Sequence, residues 1–331
     1  MKKTISICNE KGGVGKTTTT ISVAKQLAKD GYKVLVIDLD AQGNAGRALN
    51  FLEDGKYTSA DLIYNTLSGR PLNADDYIRY SEDYGVYYIP SSKLLGSITT
   101  FMASSTNIDC NYILKTILDD KMFDGFDYIL YDCRTLLDIL VSNAMTSSDY
   151  VLIPVESGIY SFDGLASILE KVDTIGASTN PKLKVIGILI NKQKNTVIGT
   201  SVTDSVKERY GSMVFNMVIP DCPAQAENSI LGINKKNGSL ELAFHNVTKE
   251  LEYRIMLDNK GELGKEDLSK IDNSPIEVDE TDDTLLTEMD NEDIVDTETT
   301  NVPVTDDTTA TDTTETDENS SREEKTDDLL F

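Results

Sequence analysis

Residues 11–18 read Lys-Gly-Gly-Val-Gly-Lys-Thr-Thr, and these types at this spacing suit the holding of a polyphosphate. Gly12, Gly13 and Gly15 let the backbone approach an anion closely, because a Cβ there would fill the space a phosphate needs. The cradle runs from Gly12 through Val14 to Thr18. Within it Lys16 supplies a charge for the β- and γ-phosphates and Thr17 a hydroxyl for Mg²⁺. Such a site needs a strand before the loop and a helix after it, so that clustered N–H groups and a positive helix end converge on the anion. Both are present in the pattern. Ile5, Ile7 and Cys8 form an apolar run, and Ile21, Ala24, Leu27 and Ala28 recur at helical spacing. The implied chemistry is nucleoside triphosphate binding.

Two further clusters carry carboxylates at the ends of apolar runs. One is Asp38-Leu39-Asp40-Ala41-Gln42-Gly43-Asn44, after the run Val34–Ile37. The other is Tyr128-Ile129-Leu130-Tyr131-Asp132. Alone the second pattern is common. Beside a phosphate loop it gains weight, because Mg²⁺ held by Thr17 calls for a second, often water-mediated, carboxylate, here Asp132.

The elements that must position these groups alternate along the chain. Strands are expected at 4–8, 34–38, 86–89, 127–132, 150–155, 185–190 and 214–218. Helices are expected at 17–30, 59–67, 94–103, 109–120, 138–146, 161–177, 200–210 and 239–256. Near-continuous apolar strands alternating with helices predict an α/β fold, a mostly parallel doubly wound sheet with helices on both faces. Ligands in such sheets sit at the carboxyl ends of strands, where each cluster above falls.

Charge divides the chain of 331 residues. Residues 1–257 carry 26 Lys and Arg against 30 Asp and Glu, a net of −4. Residues 258–331 carry 5 against 26, a net of −21, and are rich in Thr. The second segment has too little apolar surface to offset ordering entropy and reads as a disordered acidic tail behind one folded domain, 1–257. No apolar run approaches the about 20 residues of a membrane span, and the N-terminus lacks a signal h-region. The scattered Cys8, Cys110, Cys133 and Cys222 read as reduced thiols of a cytoplasmic protein.

Residues 11–18 depart from the general phosphate-loop pattern in having Glu10 where glycine is expected, followed by Lys11. In this form the loop resembles the deviant Walker A motif of the ParA/MinD-type ATPases, and most of 1–257 shares the resemblance. Asp38–Asn44 is similar to that family's D-x-D-P-Q-G-N segment, with Ala41 in place of proline. Ser148–Val155 with Gly164-Leu165 is similar to its A-D-x-V-L-I-P…G-L stretch. Ile190-Asn191-Lys192 and Ile219-Pro220 are similar to its strand-end Asn-Lys and Ile-Pro. The resemblance implies that Lys11 reaches across a dimer interface to the partner's nucleotide. It implies that Asp40 orients the attacking water, with Asp38 supporting the loop and the metal's water shell. It implies that Asn191 reads the adenine edge and that the Pro220 loop lines the base. Cys133-Arg134-Thr135 stands where the family usually has D-C-P-P continuing from the aspartate, and Asp221-Cys222 where it often has Arg-Asn.

ATP and Mg²⁺ are therefore the implied cofactors. ATP would drive a homodimer that binds non-specific DNA, and slow hydrolysis stimulated by a ParB-like centromere-binding protein would release it in plasmid or chromosome partitioning. Basic candidates for DNA are Lys192, Lys194, Lys207, Arg209, Lys235, Lys236, Lys249 and Arg254. A domain near −4 needs a local patch for this, not a basic surface overall. The alternative is a relative that positions another cargo, such as a conjugation, polar or membrane-associated complex. Stable membrane association is not expected, because an anionic lipid surface would repel the acidic tract before Leu329-Leu330-Phe331. That tract reads as a solubility tail, a partner-binding segment or a competitor for the DNA patch. The expected location is cytoplasmic, nucleoid-associated if the chain partitions DNA.

Overall fold

The computed structural model describes residues 2–104, 109–157, 161–194, 196–222 and 238–264. The acidic segment from 265 onward lies outside the described residues, as do Lys235 and Lys236. Strands β1 (Lys3–Ile7), β2 (Val34–Leu39), β3 (Arg79–Ser81), β4 (Val86–Ile89), β5 (Tyr128–Cys133), β6 (Tyr150–Glu156), β7 (Lys184–Gln193) and β8 (Val214–Pro220) form one sheet. Its order is β3-β4-β2-β5-β1-β6-β7-β8. Every pairing is parallel except the antiparallel β3–β4 contact at one edge.

Period-two alternation explains the layers. Val34, Val36, Tyr128 and Leu130 face one side, while Leu35, Ile37, Ile129 and Tyr131 face the other, and both rows are buried. The first side is covered by α1 (Lys16–Lys29), α2 (Asn44–Ala48) and a long C-terminal helix, through Ile21, Ala45 and Phe244. The second is covered by α3 (Ser59–Leu67), α5 (Leu95–Ser104), α6 (Ile113–Leu118), α7 (Ile139–Thr146), α8 (Ser161–Ala177) and α9 (Val197–Tyr210). A short α4 (Ala74–Tyr77) precedes the β3 edge, and α10 (Gly238–Lys260) is the long helix. This is the doubly wound sheet that the sequence implies.

All seven expected strands form. Elements without an expectation are α2, α4 and β3, each too short to show a period. The expected helix 109–120 is reduced to α6 followed by a 3-10 turn at Lys121–Phe123. The last helix runs on to Lys260, past the boundary placed at 257.

At the β7–β8 edge a buried ion pair closes the fold. Arg254 and Glu250, one helical turn apart on α10, are 1% and 0% exposed and 2.8 Å apart. Glu250 accepts the N–H groups of Asn216 and Met217. Arg254 donates to the carbonyls of Ile186, Ser212 and Val214 and lies over the Phe215 ring. The ring in turn occupies the space a Cβ at Gly187 would need, 2.4 Å away. Arg254 is thus a structural cation with no surface to offer DNA, which corrects the expectation drawn from its charge. We expect Arg254→Met to lower unfolding free energy by about 3–5 kcal/mol, because it strands the Glu250 carboxylate. Urea denaturation measures this, and a loss under about 1 kcal/mol would show the pair to be incidental.

Candidate active site

The site forms at the carboxyl ends of β1, β2, β5 and β7, where the loop after β1 meets α1. Gly13 and Gly15 hold φ values of 79° and 88°, a region that a side chain disfavours. A Cβ at Gly12 or Gly13 would meet nothing within 4 Å, so open space adjoins the loop there. A Cβ at Gly15 would lie 2.8 Å from Asn191 Nδ2. The loop is fastened from beneath. Asn191, fully buried near the end of β7, donates from Nδ2 to the Val14 carbonyl at 3.0 Å and to Thr19 Oγ1 at 2.9 Å. Its Oδ1 is buried without a hydrogen-bond partner. At the loop's entry Asn9 donates to the Pro154 carbonyl at 2.8 Å and accepts the Lys11 N–H at 2.9 Å.

The two lysines of the loop point to different tasks. Lys16 is 8% exposed, and its Nζ donates to the Lys11 carbonyl at 3.1 Å. Burial pushes its pKa down, while the Asp132 carboxylate beside it works the other way. Lys11 stays on the rim with its side chain 33% exposed, 3.4 Å from Glu156 at the end of β6. Glu10 packs against α8 at Gly164, where a Cβ would come within 3.5 Å of its Cγ.

Alternation along β5 turns Asp132 toward α1, on the side already occupied by Tyr128 and Leu130. Thr17 Oγ1 donates to Asp132 Oδ2 at 2.7 Å and Thr20 Oγ1 to Oδ1 at 3.3 Å. Burial pushes the Asp132 carboxyl up to about 6, against the Thr17 hydrogen bond and the Lys16 charge. Asp38 pairs with Asp132 in register on the adjacent strand and is also buried. Burial first, then the Asp132 charge, pushes its carboxyl up to about 8.

Asp38 spends both oxygens on the loop that follows it. Oδ1 accepts the Asp40 N–H, and Oδ2 accepts those of Ala45 and Gly46 in the first turn of α2. It shapes the turn that presents Asp40. Asp40 is half-buried, its Oδ1 accepts the Gln42 N–H, and its carbonyl accepts from the Ser91 hydroxyl. Its charge acts on both Lys16 and Asp132, so the structure gathers Lys16, Thr17, Asp40 and Asp132 into one neighbourhood. The hydroxyl of Thr17 and the carboxylate of Asp132 are hard oxygen donors, and that donor set fits Mg²⁺. Pro220 ends β8 opposite Gln193, and the next N–H, that of Asp221, donates to the Gln193 carbonyl at 2.9 Å.

Among the described residues, the basic candidates divide between the β7–α9 region and α10. Lys192, with φ of 52°, and the exposed Lys194 follow Asn191 at the site's edge. Lys207 and Arg209 are exposed in the last turn of α9, beyond Thr203, whose hydroxyl donates to Gln193 between those two lysines. Lys249 is paired with Asp30 at 3.1 Å and Glu252 at 3.2 Å. Sequence reasoning missed Asn9, Glu156, Thr20 and Ser91, ordinary polar residues that only the sheet brings to the loop. It also missed the bracing role of Asn191. The four cysteines are free thiols. Among the described residues, no helix is long and apolar enough to cross a membrane.

Comparison with known proteins agrees with this geometry. A family model described as an AAA domain matches residues 2–185. The chromosome-partitioning ATPase Soj of Thermus thermophilus is 32% identical over 217 residues, 65% of this chain and 80% of that protein. The chromosome partitioning protein ParA of Caulobacter vibrioides is 30% identical over 220 residues, 66% and 80% of the two chains. The fold is similar to that of cobyrinic acid a,c-diamide synthase from Mycobacterium smegmatis, solved with an ATP analogue and magnesium. The TM-score is 0.66 at 23% identity, covering 80% of this chain and 98% of the other. With its deviant phosphate loop, buried strand-end carboxylates and relatives of this kind, the chain belongs to the ParA/Soj-type partition ATPases of the deviant Walker A (ParA/MinD) family.

Proposed function

We propose that the chain is an ATPase that dimerises on ATP and binds DNA non-specifically. With a ParB-like centromere-binding partner, it would partition a plasmid or chromosome. The observation that carries this reading is the division of labour between two lysines of one loop. Lys16 is folded into its own cradle, whereas Lys11 sits on the rim, held at 3.4 Å by the Glu156 carboxylate. A rim lysine that exchanges Glu156 for a second molecule's triphosphate would neutralise charge there, and each subunit would then complete the other's site.

Within one subunit the open backbone from Gly12 to Thr18 and the Lys16 ammonium hold the phosphates. Thr17 and Asp132 would hold Mg²⁺, which would supply charge that neutralises the phosphates. Asp40, presented by the Asp38-capped turn, orients the attacking water. Asn191 Oδ1 is an acceptor without a partner but is buried beneath the loop, so Asn191 would have to shift to read the exocyclic amine of adenine, and Pro220 would line the base. ATP and Mg²⁺ are the cofactors of this reading. Hydrolysis is slow until the partner stimulates it, and the working location is the nucleoid.

Of the basic candidates among the described residues, Lys194, Lys207 and Arg209 are exposed and would meet phosphates of DNA. Lys249 and Arg254 are taken up by ion pairs, and this thinning of the basic set favours a second reading, in which the ATPase positions another cargo.

Two outcomes are expected. Lys11→Ala retains ATP binding as a monomer and loses the dimer that a non-hydrolysable ATP analogue induces in the parent chain, as read by sedimentation velocity. A variant that still dimerises and turns over ATP as the parent does would remove the proposed switch. The double change Lys207→Ala and Arg209→Ala lowers the log–log salt slope of DNA binding by about 2, at about 0.9 per phosphate contact. An unchanged slope would move the DNA face elsewhere, and a parent chain with no ATP-dependent DNA binding at low salt would favour the second reading.

A further inference from the structure

Arg134 is the first residue after β5, two beyond Asp132. The register aligns Asp38 with Asp132 and Leu39 with Cys133, so Arg134 leaves the sheet in the same row as Asp40. Its side chain is only 19% exposed. Nη1 lies 3.3 Å from Asp138 Oδ2. Yet it is shut off from solvent and makes no hydrogen bond. Asp138 Oδ1 accepts the Leu140 and Val141 N–H groups as the cap of α7, which leaves Oδ2 facing the guanidinium. Buried charged donors without an acceptor are rare, and each calls for an explanation. Here Nη1 is ion-paired with a carboxylate but makes no hydrogen bond, on the segment that leaves the sheet in register with Asp40.

We propose that Arg134 is a further phosphate-contacting residue of this site, its guanidinium donating to an oxygen of the γ-phosphate. The inference rests on the nucleotide reading of the preceding subsection and adds to it a means of telling ATP from ADP. Guanidinium suits the task because its planar fork can donate two parallel hydrogen bonds to one phosphate. The ion pair with Asp138, the cap of α7, ties Arg134 to the start of that helix. Occupancy of the γ-phosphate position is thereby reported to a helix on the opposite face of the sheet from α1.

The test is equilibrium binding, with Mg²⁺, of a fluorescent non-hydrolysable ATP analogue and of the matching ADP derivative. Arg134→Ala is expected to lose about 10- to 100-fold in affinity for the triphosphate, the size of a charge-assisted hydrogen bond, and to keep its affinity for ADP. Retained ADP binding also shows that the variant folds. Arg134→Lys restores only part of the loss, because a point charge cannot replace the fork. Equal losses for both nucleotides would make Arg134 a structural residue and overturn the proposal, as would an unchanged preference for the triphosphate. A parent chain that binds neither nucleotide overturns this inference and the reading beneath it together.

Discussion

Asp132 is a carboxylate that water scarcely reaches, and the whole site is arranged around meeting its charge from within the protein. Its neighbour in register, Asp38, is buried in the same row, so two acidic groups are pressed together at the end of adjacent central strands. Burial drives both toward the neutral form. Opposing that drive, Asp132 receives the Thr17 and Thr20 hydroxyls and the nearby Lys16 charge, while Asp38 receives three backbone N–H groups. Phosphate loop, α1, central strand and the β2–α2 turn are thereby bound into one electrostatic unit. A divalent cation with a triphosphate is the chemistry that such a unit is suited to accept.

The loop itself is held in shape from two directions. Left-handed glycines at 13 and 15 curve the backbone, and Asn191 fixes it from β7 through the Val14 carbonyl. The fit is tight enough that Gly15 cannot be anything else without displacing Asn191. The Lys11 side chain, by contrast, reaches Glu156, itself at the end of β6 and in register with Asn191. The rigid cradle and the rim lysine are therefore positioned by neighbouring strands, and the nucleotide and any second subunit would be sensed by adjoining parts of the sheet.

Much of this is legible in residue order because the signals are local. Phosphate-loop glycines, Lys16, Thr17 and the strand ending in Asp132 follow from spacing, and the parallel sheet follows from apolar runs buried on both faces. What could not be read has a common cause, since it depends on distant segments meeting. Arg254 looks like a surface cation until β8 and Glu250 close over it, although the spacing of four between Glu250 and Arg254 is a signal that one helix face pairs them. Lys249 similarly meets Asp30 across the sheet's α1 side. Asn191 carries two demands on one amide, and only the structure separates its donor end, which braces the loop, from its free acceptor end. Short elements such as β3 and α2 are set by an edge pairing and by the Asp38 cap, not by any period of their own.

Calorimetric titration of a non-hydrolysable ATP analogue, with Mg²⁺ and then in excess chelator, reads the central claim most directly when the parent chain is set beside Asp132→Asn. If the buried carboxylate is the group that joins metal and loop, Mg²⁺ strengthens binding to the parent by at least about tenfold, and the variant loses most of that gain. A variant that keeps the full Mg²⁺ dependence would contradict the account, because the metal would then be held without the residue around which the site is built.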